Sequence, residues 1–68
     1  MTSELDIYRT ASILVKEYGL EQAPLMAAKR ADVLLDLGDV DGQRVWKNVL
    51  RAVQELIRRD RRPGERVN

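Results

Sequence analysis

The sequence contains no cysteine, no histidine and no phenylalanine. Without cysteine the chain cannot form a disulfide or bind a metal through thiolates. Without histidine it lacks the commonest base near neutral pH and the commonest zinc ligand. A chain of 68 residues buries only about 60% of its unfolded surface, so we expect its stability to come from close helix packing or from association with a partner.

The chain also lacks any apolar run of about 18 residues, the length that would span a membrane, and it has no basic segment followed by an apolar leader. We therefore expect a cytoplasmic protein with no membrane partner.

Acidic and basic side chains are unevenly distributed: basic ones are few in the first part of the chain, and acidic ones are few in the second. Residues 1–42 carry eight acidic and four basic side chains, whereas residues 43–68 carry three acidic and eight basic ones. Three interpretations fit this asymmetry: complementarity within the fold, association between copies, or a basic surface for an anionic partner.

The spacing of apolar residues predicts an all-α fold, a small three-helix bundle with helices at about 3–19, 22–37 and 40–59. These helices form one domain, residues 1–60. Residues 61–68 are rich in arginine and contain a Pro-Gly pair, so we predict a disordered, flexible basic C-terminal tail.

Four residues mark the predicted helix boundaries. Gly19 is expected to end the first helix in the αL conformation, and Pro24 suits the first turn of the second. Gly38 ends that helix, and Asp39 caps the third. Because this connection is short, the second and third helices should form an antiparallel hairpin with the first helix packed across it.

The third helix has the cleanest division between an apolar and a polar half. Its apolar half contains Val45, Trp46, Val49, Leu50, Ala52, Val53, Leu56 and Ile57. This half is predicted to form the core, together with the faces of the first helix that carry Tyr8 and Tyr18. Leu5 and Ile13 lie off the apolar arc of the first helix, so they are expected either to be exposed without a role or to take part in association.

The second helix is apolar over roughly 200° of its circumference, more than one neighbour covers. Either the other two helices cover it completely, or it meets another protein. We predict that Met26, Arg30, Val33 and Leu37 form a protein-interaction surface, used for a homodimer or for docking to a larger protein.

The sequence contains few of the residue patterns that a catalytic or metal site would need. A calcium loop aligned on Gly42 would draw two ligands from Asp39 and Asp41, where five or six are needed. Asp32 and Asp36 lie four apart on a strip predicted to face water, and no serine or threonine has a histidine to activate it. We predict no catalytic residue, no cofactor and no metal.

A basic stripe makes nucleic acid the alternative partner. It comprises Arg44, Lys47, Arg51, Arg58, Arg59, Arg61 and Arg62. A helix-turn-helix is excluded by register, since Arg44 and Lys47 would have to be buried. The remaining possibility is weak, sequence-independent contact with phosphates.

Several residues together form a pattern that resembles a family of short, uncharacterised helical proteobacterial proteins. They are Tyr8, Gly19, Ala23-Pro24, Arg30-Ala31-Asp32, Leu34, Gly38-Asp39, Gly42, Trp46, Ala52 and Leu56. The most specific part is the G-D-x-x-G-x-x-x-W spacing. The resemblance covers about residues 4–57 and implies a bacterial cytosolic setting. It supplies no catalytic residue, since the family has no assigned activity.

Overall fold

The computed structural model describes residues 4–60, which are all-α. Helix α1 spans Glu4–Asp36 and helix α2 spans Val40–Asp60. The prediction of a three-helix bundle is therefore wrong, because the first two expected helices, 3–19 and 22–37, are joined in α1. The predicted basic tail, residues 61–68, lies outside the described residues.

Gly19 explains why two helices were expected where the structure has one. It has non-helical backbone angles (φ 85°, ψ 169°) inside α1. The positive φ requires glycine, but this ψ lies far from the αL value of about 47°, so the expected αL termination is also wrong. Helical structure resumes at once, and Pro24 lies inside α1 instead of opening a separate helix. Gly19 is thus a kink within one helix, with no loop beside it.

The kink allows both halves of α1 to contact α2. In the first half, Ile7 and Tyr8 line a groove with Ala52 of α2, and Val15 lines another with Leu56. This half therefore follows the same direction as α2. The half after Gly19, residues 20–36, leads into the connection with α2 and runs antiparallel to it. The chain reverses sharply at the kink, so α1 is not a straight rod.

The connection between α1 and α2 pairs several of the backbone groups at both helix ends. Gly38 has φ 82°. Its N–H donates to the carbonyl of Leu35 at 3.0 Å, and the N–H of Asp39 donates to the carbonyl of Leu34 at 2.8 Å. These two bonds form a Schellman motif. The Asp39 carboxylate then accepts a bond from the N–H of Gly42 at 2.9 Å, which caps α2.

The core is narrow because most of its buried residues are alanines. Small side chains let helix backbones approach closely, but they bury little apolar area each. The buried cluster contains Ala11, Ala23, Ala27, Val49, Ala52 and Val53, with Ile7, Leu14, Val15, Trp46, Leu50, Leu56 and Ile57 partly buried around it. Only valines are large and fully buried among the described residues, so we expect modest stability.

Candidate interaction surface

The residues predicted to bind a protein lie together on the second half of α1 and the turn after it. Met26, Arg30, Val33 and Leu37 are spaced by four, three and four positions, which places them on one helix face. Val33 is 50% exposed and Leu37 is 75% exposed. Met26 is partly buried, and Arg30 is exposed. We call these four residues the α1 surface.

Arg30 is held at the edge of the α1 surface that adjoins α2. Its Cζ atom lies 5.1 Å from the centroid of the Trp46 ring, within the range of a cation–π interaction. Trp46 is partly buried and packs against the core. The contact therefore fixes the guanidinium beside a rigid indole, while Met26 and Val33 line a shallow depression with Arg30 and Lys29.

Other exposed apolar side chains lie outside this face. Leu25 is 61% exposed and Leu35 is 52% exposed, and on a helical wheel both fall well away from Met26, Val33 and Leu37. Leu5 and Ile13, in the first half of α1, are 67% and 51% exposed. The α1 surface differs from these single exposed residues because its apolar side chains, Met26, Val33 and Leu37, lie next to one another on one face.

The second predicted surface lies on the outer face of α2. Arg44, Lys47, Arg51 and Arg58 are all exposed and lie opposite the buried side of the helix; we call them the α2 basic face. Arg58 forms an ion pair with Glu55 at 2.5 Å, which neutralises part of this face. Arg59 is also exposed. Arg61 and Arg62, the remaining predicted contacts, lie outside the described residues.

The aromatic residues are less buried than the sequence predicted. Tyr8 is 38% exposed and Tyr18 is 43% exposed, whereas both were expected in the core. Trp46 is partly buried. The reason is the narrow, alanine-rich core: closely spaced helix backbones leave room for bulky rings only at the edges.

No group of three or more Asp and Glu side chains in residues 4–60 is arranged to hold a metal ion. The side chains described include no buried polar or charged residue. Asp39, which a calcium loop would need, uses its carboxylate to cap α2.

The G-D-x-x-G spacing has a structural explanation in the connection between the helices. Gly38 supplies the positive φ, and Asp39 supplies the cap. Gly42 lies so close to that cap that a Cβ atom there would come within 2.6 Å of Asp39 Oδ2. A side chain at position 42 would therefore push the capping carboxylate aside. These residues serve the turn, so their spacing carries no evidence for a ligand site.

Comparisons of the chain with protein-family models, curated proteins and solved structures found no match. The resemblance to a proteobacterial family remains a prediction. Neither described helix is long and apolar enough to cross a membrane.

Proposed function

We propose that the chain is a small, non-catalytic interaction module of the bacterial cytoplasm, which self-associates through the α1 surface. The observation that supports this proposal is the position of Val33 and Leu37. Both are at least half exposed, and they lie beside Met26 on the same face. Single exposed apolar residues are ordinary, but adjoining ones commonly mark a contact with another molecule.

Arg30 adds a second feature expected of a binding surface. Arginine and aromatic residues are enriched among the side chains that contribute most to protein association. Because Arg30 is already placed over Trp46, less side-chain freedom is lost when a partner covers it. A partner of the same kind, a second copy, would cover the apolar residues of both chains at once.

Sedimentation equilibrium tests the proposal directly. We expect the apparent mass of the wild-type chain to rise from the monomer value of 7.8 kDa towards the dimer value with increasing concentration. Val33→Asp should remain monomeric, since it introduces an unpaired charge at a contact. Ile13→Asp is the matched control, because Ile13 is 51% exposed but lies outside the α1 surface, and its association should match the wild type.

A wild-type chain that stays monomeric at several hundred micromolar would reject self-association. Capture of a larger protein that is lost in Val33→Asp would then indicate docking to a different partner. Equal effects of Val33→Asp and Ile13→Asp would show that exposed apolar residues act without regard to position, and the α1 surface would have no special role.

The α2 basic face supports a second candidate function, weak and sequence-independent binding of nucleic acid. Arg44, Lys47 and Arg51 are exposed on one side of α2, and no ion pair within the described residues involves them. Such a row of cations can neutralise phosphates. Trp46 packs against the core, and Tyr8, which is 38% exposed and lines a groove with Arg51, offers a single ring for stacking on bases, so any binding should depend strongly on salt.

A further inference from the structure

The charged residues that border the α1 surface differ between its two edges. On a helical wheel, Lys29 and Asp36 fall roughly 40° and 60° to one side of Val33, and Arg30 falls roughly 60° to the other. Lys29 and Asp36 are exposed. No ion pair within the described residues involves either of them. One edge thus carries both signs of charge, and the other carries a single cation.

We propose that two copies pack their α1 surfaces together antiparallel, about a two-fold axis close to Val33, so that Lys29 of each copy pairs with Asp36 of the other. This inference rests on the proposed self-association and specifies its geometry. Lys29 lies four residues before Val33 and Asp36 lies three after it. In an antiparallel pair, Lys29 of one copy and Asp36 of the other are therefore offset by only about 1.5 Å along the helix axis.

The symmetry of the pair explains why the antiparallel arrangement is favoured. When two identical helices pack antiparallel, each edge meets the same edge of the other copy, so the edge with both signs of charge pairs with itself. When they pack parallel, each edge meets the opposite one, as in the charge pairing of coiled coils. Lys29 would then face Arg30, and two like charges would oppose association.

The Arg30 edges also meet each other in the antiparallel pair, but at a greater distance. Arg30 precedes the axis by three residues in each copy, so the two side chains are separated by roughly 9 Å along the helices. Salt screens charges over about 8 Å under physiological conditions. Each guanidinium is also drawn towards its own Trp46, away from the axis, which leaves room for both.

A second copy fits this surface because it supplies the complementary charges at the required positions. It brings an apolar centre for Val33 and an oppositely charged group for both Lys29 and Asp36. A contact through one helix face is smaller than the ~800 Å² per partner of stable complexes. We therefore expect a weak dimer, with a dissociation constant on the order of micromolar or higher.

Charge reversal tests the proposed arrangement. Lys29→Asp and Asp36→Lys should each raise the dissociation constant of the homodimer about tenfold, because both symmetric pairs become repulsive. The double variant Lys29→Asp/Asp36→Lys should return close to the wild-type value. An equimolar mixture of the two single variants should associate more tightly than either alone. Lys16→Asp, the same charge change outside the surface, should have no effect.

Sedimentation equilibrium measures all of these constants, and circular dichroism checks that each variant stays helical. Tighter association of Lys29→Asp would overturn the proposal, since it indicates the parallel arrangement, where this change relieves repulsion from Arg30. Equal constants for the wild type and all charge variants would also overturn it, while self-association itself would stand. A wild-type chain that never associates would reject the proposed function and this geometry with it.

Discussion

Replacement of Gly19 by L-alanine tests how far the fold depends on the kink inside α1. Apart from its chain neighbours and the nearby backbone of α1, a Cβ atom built at Gly19 meets no atom within 4 Å, so the substitution creates no overlap with more distant parts of the fold. Its cost is confined to the backbone, where an L-residue disfavours the observed φ of 85°. Such conformations cost about 1–3 kcal/mol, so Gly19→Ala should lower the free energy of unfolding by about 2 kcal/mol.

D-alanine at the same position is the matched control. It adds the same methyl group, but its mirror-image preferences accept a positive φ. By restricting the unfolded chain it should stabilise the protein by about 0.4–1 kcal/mol. A chain of this length is accessible to chemical synthesis, and urea denaturation followed by circular dichroism gives the free energies. If the L and D variants unfold at the same urea concentration, Gly19 does not require a left-handed backbone and the reasoning is refuted.

Three further substitutions address the core, the cap and the α2 basic face. Val53 is fully buried, so Val53→Ala should lower the free energy of unfolding by about 2 kcal/mol, and an unchanged urea midpoint would contradict its burial. Asp39→Ala should cost about 1 kcal/mol, whereas Asp39→Asn should retain most of the cap; equal losses would show that the side-chain acceptor is unimportant. Changing Arg44, Lys47 and Arg51 together to glutamine should make the plot of the logarithm of the duplex-binding constant against the logarithm of salt concentration less steep by about 3. Fluorescence anisotropy measures this binding, and unaltered binding would exclude the α2 basic face as the contact.

The character of α2 could be predicted from the sequence because one local pattern determines it. The apolar positions around Val49 and Val53 recur with the helical period, and the same residues are buried in the structure. Asp39 was recognisable as a cap from its residue type and its place before that pattern. Both features depend on interactions between near neighbours, which the sequence displays directly.

The continuity of α1 could not be predicted in the same way. Gly19 and Pro24 resemble an ordinary helix end followed by a helix start, and a loop between them was the natural expectation. Whether a loop follows a residue with positive φ, or helical structure resumes at once, depends on ψ at that residue. Both halves of α1 pack against α2, and contacts between residues so far apart in the chain are not visible in a local sequence pattern.

The contact between Arg30 and Trp46 was missed although the information was present. Each residue is eight positions from Gly38, on opposite sides of the turn. A hairpin centred on Gly38 therefore places them opposite each other, just as it places Ala27 opposite Val49. The sequence had indicated only that Arg30 belongs to an interaction surface. Finding its aromatic partner required the helix register, which follows from the position of the turn.

NMR spectra of the ¹⁵N-labelled chain, recorded across a dilution series, test the central claim most directly. If two copies meet through the α1 surface, the amide signals that shift with concentration should belong to residues near Val33, including Lys29 and Asp36. The signals of Lys47 and Arg51, on the outer face of α2, should stay constant. Spectra that do not change with concentration, or shifts confined to α2, would contradict the account.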